Sequence, residues 1–152
     1  MHDLTDMEID ALNEALDDEY RAWATYDQVI ADFGNISPFS NIRAAEARHI
    51  GALCELFTQY SLSIPENPWP GKVERYASLR AACEAGAAAE IVNGEMYDRL
   101  LKVTNHPDIQ TVLRNLQAAS QQRHLPAFQR CAQRSVTGRQ MHGRKPNQNI
   151  QK

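Results

Sequence analysis

Glutamate and histidine recur at matching places in the two halves of this chain. The repeated stretches are EYRAWATYDQVI at 19–30 with EIVNGEMYDRLL at 90–101, and RHIGAL at 48–53 with RHLPAF at 123–128. Each half therefore carries a glutamate on its first segment, Glu19 or Glu90, and a histidine on its second, His49 or His124. Side chains of these two types, repeated on paired helices, are what a metal centre inside a four-helix bundle requires.

A second carboxylate accompanies the first histidine. Glu46 and His49 are three residues apart, so on a helix they share one face. The corresponding pair in the second half is Gln121 and His124, where a neutral amide makes Gln121 a doubtful ligand. Carboxylate and imidazole ligands suit iron or manganese.

The elements that must position these residues are predicted to be four helices. Apolar residues spaced alternately three and four apart, as in a helix packed in a bundle, place them at 5–33, 38–60, 78–103 and 107–130. No segment shows the alternation of a strand. The proline-rich segment at 61–77 is long enough to run the length of the bundle. The pattern therefore predicts an all-α, up-down-down-up four-helix bundle with a long crossover between helices two and three.

The proposed ligands fall on the apolar faces of these helices. An unpaired buried charge is costly, yet Glu19, Glu46 and Glu90 lie on faces otherwise filled by leucine, isoleucine and aromatic residues. Their repeat-related positions favour a buried polar core over surface glutamates. Tyr26 and Tyr97 lie seven residues past Glu19 and Glu90, on the same helix faces. They either donate hydrogen bonds to the ligands or, as we favour, fill the core with a hydroxyl that finds some other acceptor.

Five stretches of the chain resemble the ferritin-like superfamily. They are DDEYRAWATYDQVI, PFSNIRAAEARHI, PENPW, AAEIVNGEMYDRLL and NLQAASQQRHLPAFQRC, and they cover most of residues 11–131. The chain looks most like the small bacterial ferritin-like proteins of the domain-of-unknown-function type, and more distantly like rubrerythrin and ferritin. That resemblance implies a di-iron or di-manganese carboxylate site in the bundle core.

The resemblance also implies a role for each position. In the family pattern each half gives one terminal glutamate, then a bridging glutamate followed three residues later by histidine. The first half matches at Glu19, Glu46 and His49. The second half matches at Glu90 and His124 and departs at Gln121. Rubrerythrins carry a further carboxylate one turn along helix three, and here that place holds Asn93, which we expect in the second shell.

These departures leave the metal content open. Three carboxylates against two divalent ions leave a net charge of about +1 in a medium of low dielectric constant. Two ions, one ion, or an empty, hydrogen-bonded core all fit the sequence. The function we expect is metal binding, with iron- or manganese-dependent oxidation or peroxide reduction. The alternative is a non-catalytic scaffold or interaction module with a vestigial, metal-free polar core.

Composition constrains the partners and the compartment. The chain has 152 residues, a net charge of −3 and no apolar run near the ~20 residues of a membrane span. Its acidic N-terminus is unlike a signal peptide, so we expect one cytoplasmic domain at 1–133. The ligand pattern predicts metal ions as partners; the resemblance implies that such bundles often pair, so a homodimer is one alternative, but the sequence alone does not determine the oligomeric state. The tail at 134–152 contains five basic residues and no acid; we expect it to be disordered rather than to bind nucleic acid.

The three cysteines form no CxxC motif, which argues against a zinc finger or a secreted disulfide scaffold. Cys83 lies seven residues before Glu90, and Cys131 lies seven after His124. On antiparallel helices these two thiols reach the same end of the bundle, within disulfide range. Buried apolar packing is the commoner role of such thiols, and a redox pair is the alternative. Cys54 falls toward the other end.

Overall fold

The computed structural model describes residues 3–142, with side chains through Arg134, and it is helical with no strand in that range. The helices are α1 (Asp6–Phe33), α2 (Phe39–Gln59), α3 (Leu79–Leu101), α4 (Pro107–Ala119) and α5 (Leu125–His142), with a π-helical turn (Ser120–His124) joining the last two. The bounds of the first three agree with the predicted ones to within two residues. The fourth predicted helix is real but is interrupted by the π turn, so the fold is a helical bundle.

Local sequence signals fix where the helices begin and end. At the start of α1, the Thr5 hydroxyl accepts from the Glu8 amide at 3.1 Å and the Glu8 carboxylate accepts from the Thr5 amide at 2.9 Å, which together form a capping box. Gly34, with a φ of 103°, ends the helix. The Ser78 hydroxyl caps α3 by accepting from the Ala81 amide at 3.1 Å.

Contacts between helices give the direction of each neighbouring pair. Late α1 meets early α2, because the rings of Tyr26 and Phe39 are 5.9 Å apart. Early α3 meets α5 through Cys83 and Cys131, whereas the end of α2 meets the start of α4, where the Tyr60 hydroxyl lies 2.8 Å from the Asp108 carboxylate. These pairs are therefore antiparallel.

Two apolar clusters lie at the two ends of the bundle, with a polar layer between them. One cluster is centred on Leu12, Leu16, Leu53, Phe57, Tyr97, Leu100, Leu113 and Leu116. The other contains Tyr26, Val29, Phe39, Ile42, Ala82, Cys83, Phe128 and Cys131. Glu46 on α2, Glu90 on α3 and His124 on the fourth helical segment stand between the stretches that contribute to the two clusters. On α1, Glu19 stands next to Tyr20, the last residue of that helix in the first cluster. The predicted ligands thus lie at mid-height.

The crossover after α2 lies along α1. The Trp69 indole nitrogen donates to Asp17 at 2.9 Å, and the Arg75 guanidinium donates to Asp32 at 2.5 Å. These two aspartates are fifteen residues apart on α1, which is about 22 Å of helix. The segment therefore runs along the bundle, as its length predicts.

The described helices include no membrane span, and the last of them extends into the predicted tail. Within the described part of the chain, no helix is long and apolar enough to cross a membrane. Helix α5 continues past residue 133 to His142, into the predicted tail. Residues 143–152 of that tail lie outside the described residues, so disorder there stays a prediction.

Two helical glycines allow a matched test of the packing. An Ala methyl group at Gly86 would lie 2.8 Å from the Phe128 ring, whereas one at Gly51 meets nothing within 4 Å. We expect Gly86→Ala to lower the free energy of unfolding by about 1–3 kcal/mol through overpacking. Gly51→Ala is expected to raise it by up to about 1 kcal/mol through helix propensity. Urea unfolding followed by circular dichroism measures both, and equal midpoints would contradict the close approach of α3 and α5.

Candidate metal centre

Three buried carboxylates and two imidazoles converge in the polar layer. Glu19, Glu46 and Glu90 are each at most 3% exposed, and His124 is 4% exposed. His49 is nearly buried, with 13% of its side chain exposed. The helices bring all five together because each presents its inward face at the same height. The structure thus places these five predicted residues in one cluster.

Glu46 lies between the two histidines. Its Oε1 is 3.2 Å from Nδ1 of His49, and its Oε2 is 3.5 Å from Nδ1 of His124. On one side, Glu19 Oε1 is 3.5 Å from the same His49 nitrogen. On the other, Glu90 Oε2 is 3.7 Å from the same His124 nitrogen. Two triads of potential ligand atoms, each within 4.8 Å of one another, therefore share a single carboxylate.

The two repeat-related tyrosines each hydrogen-bond the glutamate of the opposite half. The Tyr26 hydroxyl donates to Oε2 of Glu90 at 2.9 Å, and the Tyr97 hydroxyl donates to Oε2 of Glu19. Both phenols therefore fill the core and also donate to candidate ligands, as the less favoured interpretation of the sequence had them do. Burial, together with the neighbouring carboxylates, raises the pKa of both phenols well above its ordinary value, so they act as donors.

The π turn changes which residue of the fourth helical segment faces the carboxylates. The Leu125 amide donates to the Ser120 carbonyl, five residues back, so this turn holds more residues than an α-helical one. Ser120, four residues before His124, faces the cluster and donates from its hydroxyl to Glu90 Oε1 at 2.6 Å. Sequence reasoning missed Ser120, although its spacing of four from both Leu116 and His124 was visible.

Gln121 is directed away from the ligand atoms. Its amide nitrogen donates to the Glu90 main-chain carbonyl at 2.6 Å and to the Ser120 hydroxyl at 2.7 Å. Its side-chain amide also covers Gly94 of α3, where an added methyl group would meet it at 2.5 Å. The placement of Gln121 among the ligands is therefore corrected: the π turn moves it to the face that packs on the α3 backbone.

Asn93 contacts a different carboxylate from those of the cluster. Its amide nitrogen donates to Asp18 Oδ2 at 2.6 Å, and its buried Oδ1 has no hydrogen-bond partner. Burial raises the pKa of Asp18 above its ordinary value. Asn93 is thus adjacent to the cluster and does not hydrogen-bond Glu90 or Glu19 in this structure.

Electrostatic coupling in the cluster is strong. Burial, and then the charge of Glu46, raises the pKa of Glu19 to about 8. Burial lowers the pKa of both imidazoles. The facing carboxylates have the larger opposite effect, so the pKa of each imidazole is raised to about 9. Burial also opposes ionisation of Glu46, yet hydrogen bonds from its neighbours leave its pKa below the ordinary value. Without metal, positively charged imidazoles thus compensate the carboxylates.

A cavity of about 320 Å³ gives access to the carboxylates. It lies between α1 and α3 beneath the crossover, and Glu46 and Glu90 form part of its wall. Small residues of α3, including Ala85 and Gly86, make the space, and Trp69 of the crossover also lines it. Small molecules can therefore approach Glu46 and Glu90 from this side.

The residues present fit a metal ion. Nδ1 of buried His124 lies 3.5 Å from Glu46 Oε2 and 3.7 Å from Glu90 Oε2 without a hydrogen bond to either. An ion held between these atoms would satisfy that buried nitrogen. Neutral imidazole and carboxylate are the donor types that iron, manganese and zinc accept. The Tyr26 and Ser120 hydroxyls hold Glu90 in place, as hydrogen bonds commonly orient metal ligands.

Comparison with known proteins supports the architecture alone. A scan of protein-family models gave no match, and neither did a search of curated proteins. Among solved structures, the chain is similar to the crystal structure of a hypothetical protein from Methanococcus jannaschii. The TM-score is 0.79 with 21% sequence identity, over 90% of this chain and 85% of that one. This likeness shows a shared helical fold.

Changing Gln121 to glutamate tests the effect of the π turn. We expect Gln121→Glu to bind no additional metal, since the side chain at this position packs on the α3 backbone. We also expect a loss of about 1–3 kcal/mol in the free energy of unfolding, because a carboxylate cannot donate to the Glu90 carbonyl. Metal content and urea unfolding measure the two effects. A gain of one metal equivalent per chain would show that position 121 does face the centre.

Proposed function

We propose that this chain is a ferritin-like, up-down-down-up four-helix bundle that binds iron or manganese between Glu19, Glu46, His49, Glu90 and His124. Its function is then metal-dependent oxidation, with oxygen or peroxide as the oxidant. The antiparallel pairing of neighbouring helices and the crossover along α1 support the topology. The convergence of buried carboxylates and imidazoles supports the metal centre.

The observation that carries this proposal is the position of Glu46. One oxygen of this carboxylate faces His49 and the other faces His124, so a single side chain offers one ligand atom to each triad. A carboxylate that bridges two metal positions has this arrangement. A structural ion pair would need only one of the two histidines.

The protein's own residues would prepare the site for such chemistry. Iron or manganese, if bound by these residues, would supply reversible one-electron oxidation. Tyr97 and Tyr26 hold Glu19 and Glu90 from opposite halves of the chain, and Ser120 holds the second oxygen of Glu90. The surrounding apolar clusters limit the access of water, while the cavity beside Glu46 and Glu90 admits a small oxidant.

Metal stoichiometry tests the shared carboxylate. We expect the wild-type chain to bind up to two equivalents of Fe(II) or Mn(II), and Glu46→Gln to bind almost none because both triads lose a ligand. His49→Gln is expected to keep the Glu46–Glu90–His124 triad and so to retain about one equivalent. Glu55→Gln, on an exposed position of the same helix, should bind as the wild type does. Elemental analysis after anaerobic loading and desalting gives these values.

Thermal unfolding gives an independent check on the same variants. Metal that binds only the folded chain stabilises it, by about 2.7 kcal/mol at a concentration one hundred times the Kd. The melting temperature of the wild type and of Glu55→Gln should rise with added Mn(II), and that of Glu46→Gln should not. The proposal would be contradicted if the wild-type protein bound less than about a tenth of an equivalent of metal and its melting temperature did not change with added Mn(II). The metal-free scaffold would then be the remaining function.

Filling the cavity tests the route of the oxidant. Ala85 lines the cavity, whereas Ala88 is exposed on the same helix and does not. We expect Ala85→Leu to slow oxidation of bound Fe(II) by peroxide at least several-fold without changing the amount of iron bound at equilibrium. Ala88→Leu should oxidise at the wild-type rate. Stopped-flow absorbance after anaerobic loading measures both rates, and equal rates would show that the oxidant arrives by another path.

A further inference from the structure

A disulfide stands two helical turns from the candidate metal centre. Cys83 of α3 and Cys131 of α5 are bonded, with their Cα atoms 5.9 Å apart. Each is seven residues from a proposed ligand on its own helix, Glu90 or His124, which is about 10 Å along the helix axis. The two sulfur atoms and the two ligands thus lie on the same pair of facing helix surfaces.

Aromatic side chains fill the space between the disulfide and the centre. Phe128 stands one turn before Cys131 and packs closely on Gly86, one turn after Cys83. The Phe128 ring is 5.2 Å from the ring of Tyr26, whose hydroxyl donates to Glu90 at 2.9 Å. Side chains of one continuous cluster therefore connect the sulfur atoms to a candidate ligand.

The disulfide is shielded from solvent. Cys83 is fully buried and Cys131 is 3% exposed, so dissolved peroxide cannot easily reach either thiol when the pair is reduced, because reactive thiols need access. Cys54, by contrast, is a free and partly exposed cysteine outside this cluster. Oxidation of the buried pair by peroxide therefore calls for a route through the protein.

We infer that Cys83 and Cys131 form an internal two-electron donor for the metal centre. This inference rests on the proposed function, because the centre provides the point at which peroxide is reduced. Formation of the S–S bond from two thiols releases two electrons and two protons. Reduction of one hydrogen peroxide to two water molecules consumes two electrons and two protons. One dithiol thus balances one peroxide and returns the bound iron to its reduced form.

The experiment follows thiols and iron together in a Cys54→Ser background, where only Cys83 and Cys131 can react. The chain is prepared anaerobically as the dithiol, loaded with Fe(II) and given one equivalent of hydrogen peroxide per chain. After an acid quench in denaturant, we expect the thiol count to fall from two to none while nearly all the iron is still Fe(II). In Cys54→Ser with Cys83→Ser, the same peroxide should leave the iron oxidised.

The dependence on metal distinguishes electron donation to the centre from two alternatives. These are direct oxidation of the thiols by peroxide and a disulfide with a purely structural role. Metal-free protein, and the Glu46→Gln variant in the same background, should keep both thiols over the same time. If the wild-type site oxidises Fe(II) but both thiols persist, the disulfide is structural and the inference fails while the proposed function stands. If the thiols are lost equally fast without metal, direct oxidation overturns the inference. If no iron binds, the proposed function fails, and the inference fails with it.

Discussion

The structure depends on keeping three carboxylates in the interior of a helical bundle. Burying an isolated charge costs several kcal/mol even after relaxation, and Glu19, Glu46 and Glu90 are each at most 3% exposed. Groups from all four helical segments offset that cost. Phenols from α1 and α3, an imidazole from α2 and a serine hydroxyl from the π turn contact the carboxylates at hydrogen-bond distance, and the His124 imidazole lies within ion-pair distance of Glu46 and Glu90. The helices are thus held in one register, since sliding any of them would leave a buried carboxylate without its partner.

The tyrosine contacts make the two halves of the repeat interdependent. Each helix pair supplies its own glutamate and tyrosine, but the phenol of one pair donates to the glutamate of the other. The contact between α1 and α3 therefore contains two related hydrogen bonds, Tyr26 to Glu90 and Tyr97 to Glu19. Neither half could complete its carboxylate environment alone, which explains why the polar layer lies where the halves meet and not within either helix pair.

Much of this arrangement could be predicted from the sequence, because burial and helical periodicity act locally. The helix bounds, the crossover and the inward positions of Glu19, Glu46, Glu90 and His124 all follow from the spacing of apolar residues. The π turn could not be predicted, since an i+5 hydrogen bond carries no distinct residue signal, and it exchanged the places of Ser120 and Gln121. The contacts of each tyrosine with the glutamate of the opposite half could not be predicted either, because a sequence repeat does not specify which residues of its two copies lie in contact. The approach of Cys83 and Cys131 was predicted from helix direction, whereas their bonding was not.

The π turn also makes the two sides of the centre chemically unequal. The first half presents a carboxylate three residues before its histidine, but the second presents the Ser120 hydroxyl four residues before His124. If the proposed centre holds two divalent ions, three carboxylates would leave a surplus of about one positive charge, which a buried site tolerates poorly. An anion from solution would remove that surplus, and the cavity reaches Glu46 and Glu90, two of the proposed ligands in the second triad. With three carboxylates, the proposed centre would therefore be completed by an anion from solution and not closed by its own side chains alone.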